Sequence, residues 1–134
     1  MTEGGEPFDA REFLERYFAS IWDVLNGGVE AMRPWFVDDF YGETPWSASA
    51  PVADGIGAYA KIMAGFRPLL EHYEIRITEF HQTADPNQVV VEARGGGPLV
   101  KGGEYWNDII LFITFREGKM ARQKEYFNPT VRPV

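Results

Sequence analysis

The stretch EYWNDIILFITFREGKMARQKEYFN, residues 104–128, decides the fold. A long run from Glu104 to Arg116 and a second from Met120 to Asn128 are rich in β-branched and aromatic side chains, and both flank the turn dipeptide Glu117-Gly118. Two such runs around a short turn predict an antiparallel hairpin. Its register matters, because side chains alternate across a sheet and a slip of one residue exchanges the faces. If Glu117-Gly118 forms a two-residue loop, Glu125 lies opposite Ile110 and shares a face with Asp108. If Arg116-Glu117-Gly118 forms a three-residue loop with Gly118 left-handed, Glu125 lies opposite Ile109 and joins Asn107, Gln123 and Tyr105. The second register is favoured, since it leaves Arg122 and Lys124 together on the other face, near Asp108 as a partner.

Upstream, Tyr73-Glu74-Ile75-Arg76-Ile77 alternates, Asp85-Pro86-Asn87 turns, and Gln88 to Arg94 is a β-branched run, which predicts a β-meander. Gly95-Gly96-Gly97-Pro98 interrupts it as a bulge or loop, without the strand-to-helix setting of a dinucleotide fingerprint. The first half has a helical period. Asp9 caps a helix, Glu12 reaches back and Phe8 staples to Phe13. Apolar residues then recur at Phe13, Leu14, Tyr17, Phe18, Ile21, Trp22 and Leu25 until Asn26-Gly27-Gly28 ends the run. A second helix is expected from Val29 to Phe36. Residues Asp38 to Asp54, dense in Pro, Gly, Ser and acids, read as a structured loop over a pocket mouth, anchored by Tyr41 and Trp46. A third helix, capped by Asp54, carries Ile56, Tyr59, Ala60, Met63, Phe66 and Leu70 on one stripe. Three helices followed by four antiparallel strands give an α+β fold, with the helices gathered on one face of a bent sheet. A single domain over residues 1–134 is expected, with residues 1–7 disordered.

Composition narrows the function. At 134 residues with 45% hydrophobic and 15% aromatic side chains, the chain has material for one core. A net charge of −7 with scattered basic residues disfavours nucleic acid and anionic membranes. The acidic start, Met1 to Glu6, runs against a signal peptide, and the lack of cysteine suits a reducing compartment, so a cytoplasmic location is expected. His72 and His81 fall on opposite faces of one strand and no HExxH motif exists, so no metal is expected. Nor is a nucleotide cofactor.

The remaining candidate chemistry centres on Glu125. A carboxyl group among Ile109, Phe127 and aromatic neighbours is poorly solvated, which raises its pKa toward working pH and equips it to move protons. Tyr59 and Tyr105 are able to donate hydrogen bonds to a ligand, or to pack as core with their hydroxyls on nearby backbone. Tyr17, Trp22, Trp35, Phe36, Tyr41, Met63 and Phe66 read as pocket wall or as core.

Phe112 to Met120 followed by Glu125-Tyr126-Phe127-Asn128-Pro129 resembles the closing hairpin of SnoaL-like proteins in the nuclear transport factor two-like superfamily. The phenazine-biosynthesis A/B branch is most similar, echoed by Val91 to Gly95, Tyr105-Trp106-Asn107 and Trp35 to Asp39. The resemblance implies a cone-shaped fold with a pocket between helices and concave sheet, and a homodimer formed through the convex face. It places an acid/base carboxyl at Glu125 and a ligand-site tyrosine at Tyr105. Where that branch carries a histidine and, one turn later, a serine on its third helix, this chain has Tyr59 and Met63. The expectation is a cofactor-independent isomerase, cyclase, condensing or dehydrating enzyme acting on a small hydrophobic or aromatic molecule of cyclic, polyketide or phenazine type. Glu125 is its catalytic residue, and Tyr17, Trp22, Phe36, Tyr59, Met63, Tyr105, Asn107 and Gln123 contact the ligand. The rival readings are a non-catalytic binding or assembly module and a subunit that pairs with a paralogue.

Overall fold

The computed structural model describes residues 8–133, so the expected disorder of residues 1–7 lies outside the described residues. The chain opens with α1 (Ala10–Ala19), for which Asp9 is the N-cap: its carboxylate accepts the Glu12 N–H at 3.0 Å. Phe8 packs on Phe13 with ring centroids 5.6 Å apart, as the staple requires. The helical run does not continue to Leu25 in one piece. It breaks at Ser20, and α2 (Ile21–Met32) begins at once, bent at Gly28, whose φ of 66° is open to glycine at little cost. The expected break at Gly28 and helical start at Val29 are therefore present, but the second helix is corrected at its end: it lasts about one turn, to Met32, and Phe36 starts a strand.

That strand, β1 (Phe36–Glu43), occupies much of the stretch read as a loop. Its pairing with the last strand shifts between Phe36 and Tyr41, so Asp38 and Asp39 fall together on the solvent side and the alternation that marks a strand is lost. Arg33 holds Asp38 at 2.8 Å, and Arg116 holds Asp39. A short β2 (Ala53–Asp54) follows, then α3 (Ile56–Phe66) and a single 3-10 turn over Arg67–Leu69. The N-cap of α3 is Gly55, with φ of 99°, and Asp54 instead pairs in the sheet with Tyr41.

β3 (Glu74–Gln82), β4 (Gln88–Pro98), β5 (Glu104–Arg116) and β6 (Lys119–Phe127) complete a six-stranded sheet of order β2-β1-β6-β5-β4-β3. Every pairing is antiparallel except β1 with β6. β4 passes straight through the glycine run. A Cβ at Gly95 would strike the Tyr73 ring, one at Gly96 the backbone at Tyr105 and Trp106, and one at Gly97 the backbone carbonyl of His72. Glycine is there for close approach, not to interrupt the strand.

The architecture is the α+β arrangement expected, with the helices on one sheet face. Alternate residues of β4 and β5, Val89, Val91, Ala93, Ile109, Leu111, Ile113 and Phe115, turn inward against Leu14, Tyr17, Phe18, Ile21, Val24 and Leu25 of the helices. Full burial of a Leu or Ile such as Leu14 or Ile113, both 0% exposed, contributes about 1.5–3 kcal/mol. The opposite face carries Trp106, Asp108, Ile110, Phe112, Lys124 and Tyr126, and Ile110 is 40% exposed there. Among the described residues no helix is long and apolar enough to cross a membrane.

Candidate functional site

The turn between β5 and β6 determines where Glu125 points. Glu117 and Gly118 both have positive φ, 55° and 74°, the backbone of a two-residue type I′ turn. Arg116 accordingly faces Lys119 and Phe115 faces Met120. The next pair is Thr114 with Arg122, so Ala121 is an extra residue and forms a bulge. Beyond it Gln123 opposes Ile113, Glu125 opposes Leu111 and Phe127 opposes Ile109. Glu125 thus shares the inner face with Tyr105, Asn107 and Gln123, as the favoured register has it. The route differs: the turn has two residues, the partner is Leu111 instead of Ile109, and the bulge exchanges the faces. Arg122 and Lys124 do lie on the outer face, but Asp108 pairs with Arg94 at 3.0 Å, and Arg122 reaches Glu43.

Glu125 is half-buried by surface area, and its carboxyl lies deep enough in protein mass for burial to push its pKa from 4.5 up to about 7. Among the described residues no donor lies within hydrogen-bonding distance of that carboxyl. Four phenols feel its charge: Tyr17 from α1, Tyr59 from α3, Tyr73 from the approach to β3 and Tyr105 from β5. Burial is the main cause raising each of these tyrosines, and the Glu125 carboxylate adds to every one. They are neutral proton donors at any working pH.

Two buried amides set the phenols. Asn107, 2% exposed, accepts the Asn128 N–H at 3.0 Å through Oδ1, which fixes its amide orientation. Its Nδ2 then donates to the Tyr105 hydroxyl at 3.0 Å, to the Asn128 carbonyl at 3.0 Å and to the Val131 carbonyl at 3.4 Å. Because the Tyr105 oxygen is accepting from Asn107, its own proton is free to turn elsewhere. Gln123, 6% exposed, donates in the same sense to the Tyr59 hydroxyl at 3.5 Å. Gly42 of β1 sits beside Gln123 in the parallel pair and adds no side chain there.

The other residues singled out in the sequence disperse. Phe36 packs edge-on or tilted against Phe40, Tyr17 and Tyr59 with ring centroids 4.7–5.5 Å apart, so it backs two of the phenols from within the core. Met63 lines a hollow of about 400 Å³ between α2 and α3, together with Val24, Leu25, Met32, Ala60 and Arg67. Trp22 lies under the Arg67 guanidinium, 4.3 Å from its ring, and against His72. A second groove of about 420 Å³ crosses the outer sheet face beside Thr78, Glu92, Asp108, Ile110 and Tyr126. Glu125 lines neither. Tyr73 is the phenol the sequence reading missed; the glycine run was its signal, since Gly95 is what leaves room for the ring.

The model of the SnoaL-like domain family matches residues 14–123. An uncharacterised PhzA/B-like protein of Pseudomonas aeruginosa is 34% identical over 71 residues, 51% of this chain and 50% of that protein, so the match spans about half the length of that relative. Among solved structures, the chain superposes on a phenazine biosynthesis-related protein of Pseudomonas aeruginosa with a TM-score of 0.63, 22% identity and coverage of 95% of this chain and 85% of that one. It also superposes on a protein of ketosteroid isomerase-like fold from Catenulispora acidiphila, solved with trimethylamine, with a TM-score of 0.72, 15% identity and coverage of 92% and 90%. At these identities the superpositions establish the fold.

Proposed function

The chain belongs to the SnoaL-like domain family, and from that premise we propose that it binds a small cyclic or aromatic metabolite and moves a proton on it with Glu125. One observation carries the reading: a carboxyl turned inward by a bulge, raised to about 7 by burial and near enough to four neutral phenols for them to feel its charge. A group titrating there is populated in both forms at neutral pH, the condition for general acid–base catalysis, which is worth roughly 10²–10⁴-fold. As carboxylate, Glu125 takes a proton from carbon beside a carbonyl. As carboxylic acid, it returns that proton at another position or to a leaving hydroxyl. Tyr105 and Tyr59 donate hydrogen bonds to the carbonyl oxygen as negative charge develops on it. Isomerisation, ring closure, imine condensation and dehydration all draw on this cycle. The molecule works in the cytoplasm and pairs with a second copy through the outer sheet face at Trp106, Ile110, Phe112 and Tyr126; the mass of the native particle in solution tests the pairing.

The test of the chemistry is deuterium uptake by a panel of cyclic ketones and aromatic keto acids in D2O, followed by NMR. A substrate of the wild-type chain should exchange or turn over, and Glu125→Gln should slow that by roughly 10²-fold or more. Turnover within about threefold of wild type would refute the assignment. A binding module is the second reading, favoured by Tyr59 and Met63 standing where the phenazine branch carries histidine and serine. It predicts a panel member that raises the melting temperature and is recovered unchanged.

A further inference from the structure

On the outer face, at the edge of the sheet, three ligating side chains converge far from this chemistry. β3 is the last strand and pairs with β4 alone. Its register shifts between Ile77 and Glu79, so Ile77 opposes Ala93 while Glu79 opposes Glu92, with Thr78 as the extra residue. Val91 and Ala93 are buried in the core, so Glu92 between them points outward, as does Glu79 across from it. His81, two residues further along β3, takes the same face. Its Nε2 stands 2.7 Å from Glu92 Oε2 and 3.6 Å from Glu79 Oε2. One ligand atom from each of the three residues lies within 4.8 Å of the other two.

Without the extra residue, Thr78 would face Glu92 and Glu79 would turn to the core. The bulge instead sets two carboxylates directly opposite each other, a pairing that destabilises antiparallel strands, in a chain whose net charge is already −7. The next outward side chain on β4, Arg94, is committed to Asp108 at 3.0 Å and to the Trp106 ring. A dication balances both carboxylates at once and takes the imidazole as a third ligand. Zinc holds nitrogen and oxygen ligands at about 2.0–2.2 Å in a tetrahedron, which separates neighbouring ligand atoms by roughly 3.2–3.6 Å. The 3.6 Å separation from Glu79 matches that value, and the 2.7 Å separation from Glu92, now a hydrogen bond, would open by about half an ångström or more to admit the ion.

We propose that Glu79, His81 and Glu92 form a binding site for a divalent transition-metal ion of the zinc class, with His81 Nε2 and one oxygen from each glutamate as protein ligands and water completing the shell. The imidazole favours such borderline ions over calcium or magnesium, which prefer oxygen alone. The ion clasps the edge strand β3 to β4. It lies across the sheet from Glu125, so it stands or falls independently of the acid/base reading.

Titration calorimetry of the metal-free full chain with zinc chloride tests it, with calcium chloride as comparator. One zinc ion per chain is expected. His81→Ala and Glu92→Gln should each weaken binding at least about tenfold, since loss of even an outer-shell partner costs 10–100-fold. His72→Ala, which alters the other histidine, should leave binding unchanged, and calcium should bind at least about tenfold more weakly. The three ligands are 41–63% exposed, and circular dichroism confirms that the variants fold. Nickel added to the wild-type chain provides a readout without substitution: amide NMR signals of residues 79–82 and 90–93 should broaden first. Absence of one-to-one zinc binding, binding unchanged by His81→Ala, equal affinity for calcium, or broadening centred elsewhere overturns the site.

Discussion

Replacing Glu125 by glutamine should make the protein more stable, by an amount that grows as pH rises above about 4.5 and levels off above about 7. The carboxyl titrates near 4.5 when solvated and at about 7 in the folded chain. Below 4.5 it is neutral in both states and costs nothing. Between those values the folded chain keeps a proton that the unfolded chain has released, so stability falls as pH rises, by up to about 1.36 kcal/mol per pH unit. Above pH 7 the loss is complete and amounts to at most roughly 3 kcal/mol, less to the extent that water screens this half-buried group. Glutamine has nearly the same shape and no charge to bury. The variant and the wild type should therefore unfold at similar urea concentrations at pH 4.5, and the variant's midpoint should lie higher by roughly 1–2 M at pH 8.5. Tryptophan fluorescence reports the transition, and groups common to both proteins cancel in the difference. A stability difference that stays within about 0.5 kcal/mol from pH 4.5 to pH 8.5 would refute the claim that burial raises this carboxyl.

Other changes probe the frame around that carboxyl. Asn107→Ala strands the Asn128 N–H and withdraws the donor from Tyr105, so denaturant unfolding should show a loss of about 2–4 kcal/mol. Gly97→Ala forces a methyl group onto the His72 carbonyl and should lower stability by about 1–3 kcal/mol or more as β4 shifts. Asp108→Asn breaks an exposed pair with Arg94 and should change stability by less than about 1 kcal/mol, a loss that shrinks further in high salt.

The features legible in the sequence are those carried by uninterrupted periodicity. The Asp9 cap, the apolar stripe of the first helices, the third helix and the long strands around Glu117-Gly118 all follow from spacing and turn chemistry. Bulges hid most of the rest. A register shift breaks the two-residue alternation without leaving a compositional mark, and this chain has three, single extra residues at Thr78 and Ala121 and a longer irregularity in β1. At Asp38 and Asp39 it disguised β1 as a loop. At Ala121 it lets a two-residue turn deliver Glu125 to the inner face, where unbroken alternation requires a three-residue one. At Thr78 it brings Glu79 and Glu92 beside His81, a cluster that no spacing of histidines marks in the sequence. The glycine run misled for another reason: what requires those glycines is the Tyr73 ring and the His72 and Tyr105 backbones, contacts distant in sequence.

Labelling the glutamate side-chain carbons with carbon-13 and following the Glu125 carboxyl signal through a pH titration, assigned by its loss in the Glu125→Gln variant, measures the decisive quantity itself. A midpoint near 7 is the predicted result. A midpoint near 4.5, shared with the exposed glutamates, would mean that water reaches the group freely and that it is an ordinary strand carboxylate.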